Sequence, residues 1–189
     1  MSQAKFSVAF LPRSERAQAI LDDFKIKFGI LPNIAFNLSA NTALIESYYY
    51  ANESFGKQSG FTAIERDAIL LAVSYVNDCD YCMAAHSFGA ENFSKAPADI
   101  IEAIRNGEAL PDDKLNALVT FTKKMVEQRG KIAPDDLSAF FAAGYTENHA
   151  LGVIAGIAIK TMTNYTRHIT EIELDTPFQV KKWQKSIRA

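Results

Sequence analysis

Cysteine is nearly absent from this sequence: two residues in 189, alongside one tryptophan, three histidines and six prolines. Two thiols do not make a secreted disulfide scaffold, and a chain of this length needs none, since it buries about 70% of its unfolded surface in a core. Charge of one sign is missing too. Twenty lysines and arginines stand against 22 aspartates and glutamates, a net of −2, with no basic run to hold nucleic acid or an anionic membrane surface. Long apolar runs are also missing. The longest aliphatic stretch, Ala68 to Val73, falls far short of a bilayer span, and MSQAKFSVAFLPRSER at the N-terminus carries no apolar leader segment. The expectation is a cytoplasmic protein with neither a membrane nor a nucleic-acid partner. No glycine-rich phosphate loop, haem motif or flavin motif is visible, so no cofactor is expected. Alternation of period two is found nowhere, which excludes half-buried strands.

What is present is helix punctuation. Ser14 is placed to cap a helix bearing Ala17, Ile20, Leu21, Phe24 and Phe28, which Gly29 stops. A short helix follows from Ile34, and a longer one runs from about Thr42 to Gly56, where Tyr48 and Tyr49 read as core, interface or pocket wall. Pro97, Pro111-Asp112-Asp113 and Pro134-Asp135-Asp136 open three more, ended near Gly107, Gly130 and Gly144. Thr146 caps a last long helix to Ile169, in which Gly152 and Gly156 would let a neighbouring helix approach closely. The tail, with Pro177 and Lys181-Lys182-Trp183, forms a final turn or wraps a neighbour. With short connections throughout, the predicted architecture is an all-α bundle of antiparallel neighbours, a single domain over residues 1–189.

The two cysteines stand three apart, as Cys79-Asp80-Tyr81-Cys82, with His86 four further on. Two cysteines placed at random would fall at this spacing roughly once in a hundred such chains, so the pair reads as selected. Before it, Thr62 and Glu65 form a capping box, and Ala68 to Val76 is apolar nearly all round. Asn77-Asp78 interrupts this helix, with Asp78 the expected N-cap of a second helix starting at Cys79. One helical turn puts the cysteine Cα atoms roughly 5 Å apart, within reach of a disulfide. The helix N-terminus favours a thiolate, and His86 shares a face with Cys82, where its imidazole could take the thiol proton. If the two helices fold back on each other, Asp67 is the carboxylate that reaches His86 and favours its cationic form. Glu65 is the fallback, set back by its cap. Zinc would need four ligands, and Cys79, Cys82 and His86 supply three.

These residues resemble the alkylhydroperoxidase D-like, carboxymuconolactone decarboxylase superfamily. The likeness lies in the pattern Glu-x11-Cys-x-x-Cys-x-x-x-His, here Asp67, Cys79, Cys82 and His86, with weaker similarity in GILPN from Gly29 and in GYTENH and TNYTRHI near the C-terminus. The sequence departs from the pattern in having Asp for Glu at position 67, and Tyr81 where that branch has a histidine between the cysteines. The resemblance implies an all-helical subunit assembling as a dimer, trimer or hexamer. It also implies a thiol-dependent peroxidase in which Cys82 attacks the hydroperoxide, Cys79 resolves it, and His86 and the carboxylate relay protons. The implied partner is an external dithiol reductant, lipoyl-bearing or thioredoxin-like. The alternatives are a dithiol oxidoreductase or redox sensor, a metal-binding scaffold, and a cysteine-independent lactone decarboxylase.

Overall fold

The computed structural model describes residues 4–185. Its regular elements are α1 (Glu15–Phe28), α2 (Asn33–Leu38), α3 (Thr42–Gln58), α4 (Ala63–Val76), α5 (Asp80–Asn92), α6 (Ala98–Asn106), α7 (Asp113–Glu127), α8 (Pro134–Ala142), α9 (Glu147–Ile169) and a 3-10 helix, Thr176–Lys181. The architecture is the expected all-α bundle. Among the described residues no helix is long and apolar enough to cross a membrane.

The punctuation read from the sequence is physically present. Ser14 accepts from the Ala17 amide, Gly29 closes α1 in the left-handed region, and Asp112 caps α7; the structure adds Asn41 as the cap of α3. Thr62 and Glu65 exchange both bonds of a capping box, and Thr146 and His149 do the same for α9. The third helix runs on through Gly56 to Gln58. The N-terminal segment joins the bundle where Phe6 bonds to Ile169 and Glu171 across the end of α9, and again where Arg13 donates to the Ser39 hydroxyl and the Phe36 carbonyl.

α4 is the central element. Ala68 to Ser74 are all buried, and the helix packs against α5, α6, α7 and α9. Close approach of α9 depends on glycine: a Cβ on Gly156 would stand 2.7 Å from Ile69 Cγ2, and one on Gly152 2.9 Å from the Phe61 ring. The apolar interior falls into two clusters. The larger gathers α4, α6, α7, α8 and α9; the smaller gathers α1, α2 and the start of α5, and holds Cys79, Tyr81 and Cys82.

Candidate active site

The turn between α4 and α5 differs from the sequence expectation, and the difference places the thiols. Asp78 does not cap α5. It takes a left-handed conformation (φ 53°) as the residue just past the end of α4. The Asp78 amide donates to the Tyr75 carbonyl (3.2 Å) and the Cys79 amide to that of Ser74 (3.0 Å), the two bonds of a Schellman closure. Cys79 is therefore the last residue of that motif and also the N-cap of α5. Cys82 lies in the first turn. Both thiols are free and almost wholly buried, at 0% and 2% exposure.

Cys82 borders a cavity of about 620 Å³. Its walls are mainly apolar and aromatic, including Phe24, Tyr48, Phe55, Phe88 and Phe178, and its polar groups are few: Asn52, Arg66, Asp67, His86, Ser94, Lys160 and Thr163. A second cavity, of about 670 Å³, lies behind the Asn77-Asp78 turn and is lined by Lys5, Asp80, Arg167 and Lys182 among others; it is bordered by neither thiol.

Lys160 is the residue the sequence reading missed. It is 2% exposed, and its Nζ lies 2.9 Å from His86 Nε2. An ammonium donates, so Nε2 accepts and the ring proton sits on Nδ1. Burial first, and then the Lys160 charge, hold the His86 pKa well below 6.5. The expected cationic imidazole beside a carboxylate is thus replaced by a neutral imidazole beside a cation. Asp67 borders the same cavity, but its carboxylate accepts from the Ser94 hydroxyl at the far end of α5, and burial pushes its pKa up. Glu65 stands outside the cavity. Its carboxylate is shared among Thr62, the Tyr145 hydroxyl (2.9 Å) and Lys114 (3.6 Å), which leaves it a structural cap instead of the fallback relay. Among the described residues no cluster of three or more His, Cys, Asp or Glu side chains is arranged to hold a metal.

Burial alone would raise the Cys82 thiol. A hydrogen bond from Cys79, the Lys160 charge, and the Thr163 and Asn164 side chains together outweigh it and bring the pKa below the ordinary thiol value. Cys79 moves the opposite way, since its proton is held by the Cys82 sulfur and its own burial resists charge. The Thr163 hydroxyl has one proton and two acceptors in reach, the Lys160 carbonyl (3.1 Å) and the sulfur. Asn164 is oriented by Asn77, which donates to its Oδ1 (2.9 Å); its buried amide nitrogen, on the side of the Cys82 sulfur, has no hydrogen-bond partner among the described residues. Such an arrangement can present a thiolate to an apolar substrate with a second sulfur at hand.

Residues 46–124 match the family model of the Carboxymuconolactone decarboxylase family. The matched stretch runs from within α3 to within α7 and contains Cys79, Cys82 and His86. No curated protein matches the chain. Solved structures with the same fold include an uncharacterized peroxidase-related protein from Ralstonia eutropha JMP134, described as an alkylhydroperoxidase AhpD core (21% identity, 94% of this chain and 93% of that one, TM-score 0.76). A second uncharacterized peroxidase-related protein, from Silicibacter sp. TM1040, is 20% identical over 94% of this chain and 97% of its own, with a TM-score of 0.75. A third is a cysteine-to-alanine variant of the debrominase Bmp8 in complex with 2,3,4-tribromopyrrole (14%, 92% and 95%, TM-score 0.73).

Proposed function

We propose that the protein is a thiol-dependent peroxidase acting on organic hydroperoxides. The observation that carries this reading is the Cys82 sulfur on the wall of a largely apolar cavity, activated by its neighbours and paired with Cys79. The Cys82 thiolate attacks the distal peroxide oxygen. The O–O bond breaks, the alkoxide leaves with a proton drawn from the hydrogen-bonded Lys160–His86 pair, and Cys82 becomes a sulfenic acid. The Cys79 thiol then displaces hydroxide from that sulfur, its proton leaving with the hydroxide as water, to give the Cys79–Cys82 disulfide. An external dithiol, lipoyl-bearing or thioredoxin-like, returns the pair to its reduced state by exchange and is itself oxidised.

The test is dithiol-dependent consumption of cumene hydroperoxide. Wild type should turn over, Cys82→Ser should fall to the rate of free dithiol, and Cys79→Ser should accumulate a sulfenic acid at Cys82 that a dione reagent traps. Consumption that survives in Cys82→Ser would overturn the reading.

A second reading has one observation behind it, the brominated pyrrole bound to a debrominase of this fold together with the aromatic walls of this cavity. Here the same thiolate would take the bromine from an aryl bromide while the ring gains a proton. Cys79 would then displace bromide to leave the same disulfide. Bromide release from 2,3,4-tribromopyrrole, absent in Cys82→Ser, distinguishes the two.

A further inference from the structure

We propose that the buried Lys160 ammonium and the Cys82 thiolate are each other's counterion, and that this pair makes the dithiol, not the Cys79–Cys82 disulfide, the electrostatically balanced state of the protein. The inference rests on the reading that these two cysteines are the redox pair. A lysine at 2% exposure normally has a carboxylate against it, because an isolated buried charge is costly. Lys160 has none. Among the described residues no carboxylate comes within ion-pair distance of its Nζ. The groups that share its surroundings are accounted for: α5 supplies Cys82 and a neutral His86, α3 supplies the Tyr48 phenol, and α9 itself supplies Thr163 and Asn164. On α4, Asp67 takes the Ser94 hydroxyl and Arg66 the Phe61 carbonyl. The cavity is thus bordered by one unbalanced cation and by one group able to become an anion.

The consequence is a redox poise. Oxidation joins the Cys82 sulfur to Cys79 and removes the negative charge. Lys160 must then remain a buried ammonium beside a neutral imidazole or give up its proton, and both lie uphill. Reduction by an external dithiol takes two electrons, regenerates a Cys79 thiol and a Cys82 thiolate, and restores the pair. A disulfide whose reduced form is specially stabilised has a high reduction potential and passes its oxidation on readily. Nothing offsets this from the chain-entropy side, since a loop closed between residues three apart restricts the unfolded chain very little.

The experiment is the thiol–disulfide equilibrium of the full chain with glutathione, for wild type, Lys160→Met and Lys160→Arg. Lys160→Met should shift the equilibrium at least tenfold toward the disulfide, a potential about 30 mV more negative, while Lys160→Arg stays within about threefold of wild type. Equal constants for Lys160→Met and wild type would overturn the pairing. Wild type alone provides a second arm, which does not depend on the variants folding: the oxidised protein should unfold at lower urea than the reduced one. A disulfide form as stable as the reduced protein, or more so, would also overturn it. These outcomes are separate from peroxide turnover, so they fail independently of the functional reading. Only the absence of any Cys79–Cys82 disulfide under strong oxidant would remove both.

Discussion

At the residue scale, His86 is the side chain whose state the environment decides. Its neutral form is held in the native protein by burial and by Lys160, while the unfolded chain protonates it below about 6.5. Below that pH the unfolded state binds a proton that the native state refuses, so stability present above 6.5 is lost as pH falls, at a rate approaching about 1.4 kcal/mol per pH unit. The urea midpoint should drop between pH 7.5 and 5.5, and the drop should be smaller in His86→Gln; an equal drop in both would contradict a neutral buried imidazole. Glu65 gives the complementary test. Because it caps α4 and receives the Tyr145 hydroxyl, Glu65→Ala should cost about 1–2 kcal/mol in chemical unfolding. Peroxide turnover of the folded variant should remain within about twofold of wild type, since the carboxylate does not border the cavity.

At the element scale, α4 and α9 are held together by the absence of side chains. A methyl on Gly156 would sit 2.7 Å from Ile69 Cγ2, in a core where neither helix has room to retreat. Gly156→Ala should therefore destabilise the fold by about 1–3 kcal/mol despite the better helix propensity of alanine. Combining it with Ile69→Ala should cost less than the two single changes added together, a coupling that a double-mutant cycle reads directly. This is also the scale at which the sequence was most legible. Caps at Ser14, Thr62, Asp112 and Thr146 and stops at Gly29 and Gly107 are local hydrogen-bond chemistry, so nearby residues suffice to place them. The turn at Asp78 was misread because aspartate serves as a cap far more often than as a left-handed closing residue. The partners of His86 were not legible, since they depend on which helix crosses α5. One signal was there to be used: Val153, Gly156, Lys160 and Thr163 follow a 3-4-3 spacing, which puts a lone lysine on the buried stripe of α9.

At the scale of the whole molecule, the C-terminal segment forms one wall of the cavity and is tied to the cysteine motif itself. Tyr81, between the two thiols, donates its hydroxyl to Asp175 (2.5 Å), and Asp175 also accepts from the Asn33 amide (3.1 Å). The 3-10 helix that follows lays Phe178 against Tyr81 and Phe88, and Trp183 anchors its far end by donating to the Arg105 carbonyl (2.9 Å). Both thiols are buried, so in the cycle proposed above a protein-sized reductant would reach the sulfurs only when a covering element yields. The segment beyond α9 is the best suited to do so. It is short, and the apolar side chains it buries are Ile172, Phe178 and Trp183. Asp175→Asn keeps the shape but removes the charge that strengthens the Tyr81 and Asn33 bonds. It should raise the rate at which a bulky thiol reagent labels Cys82 by about tenfold, equivalent to loosening a local opening by about 1.4 kcal/mol, with global unfolding changed much less. Tyr81→Phe, which breaks the same bond from the other side, should do likewise, and the double variant should add little to either. Labelling rates that change only in step with global stability would place the path to the sulfurs elsewhere.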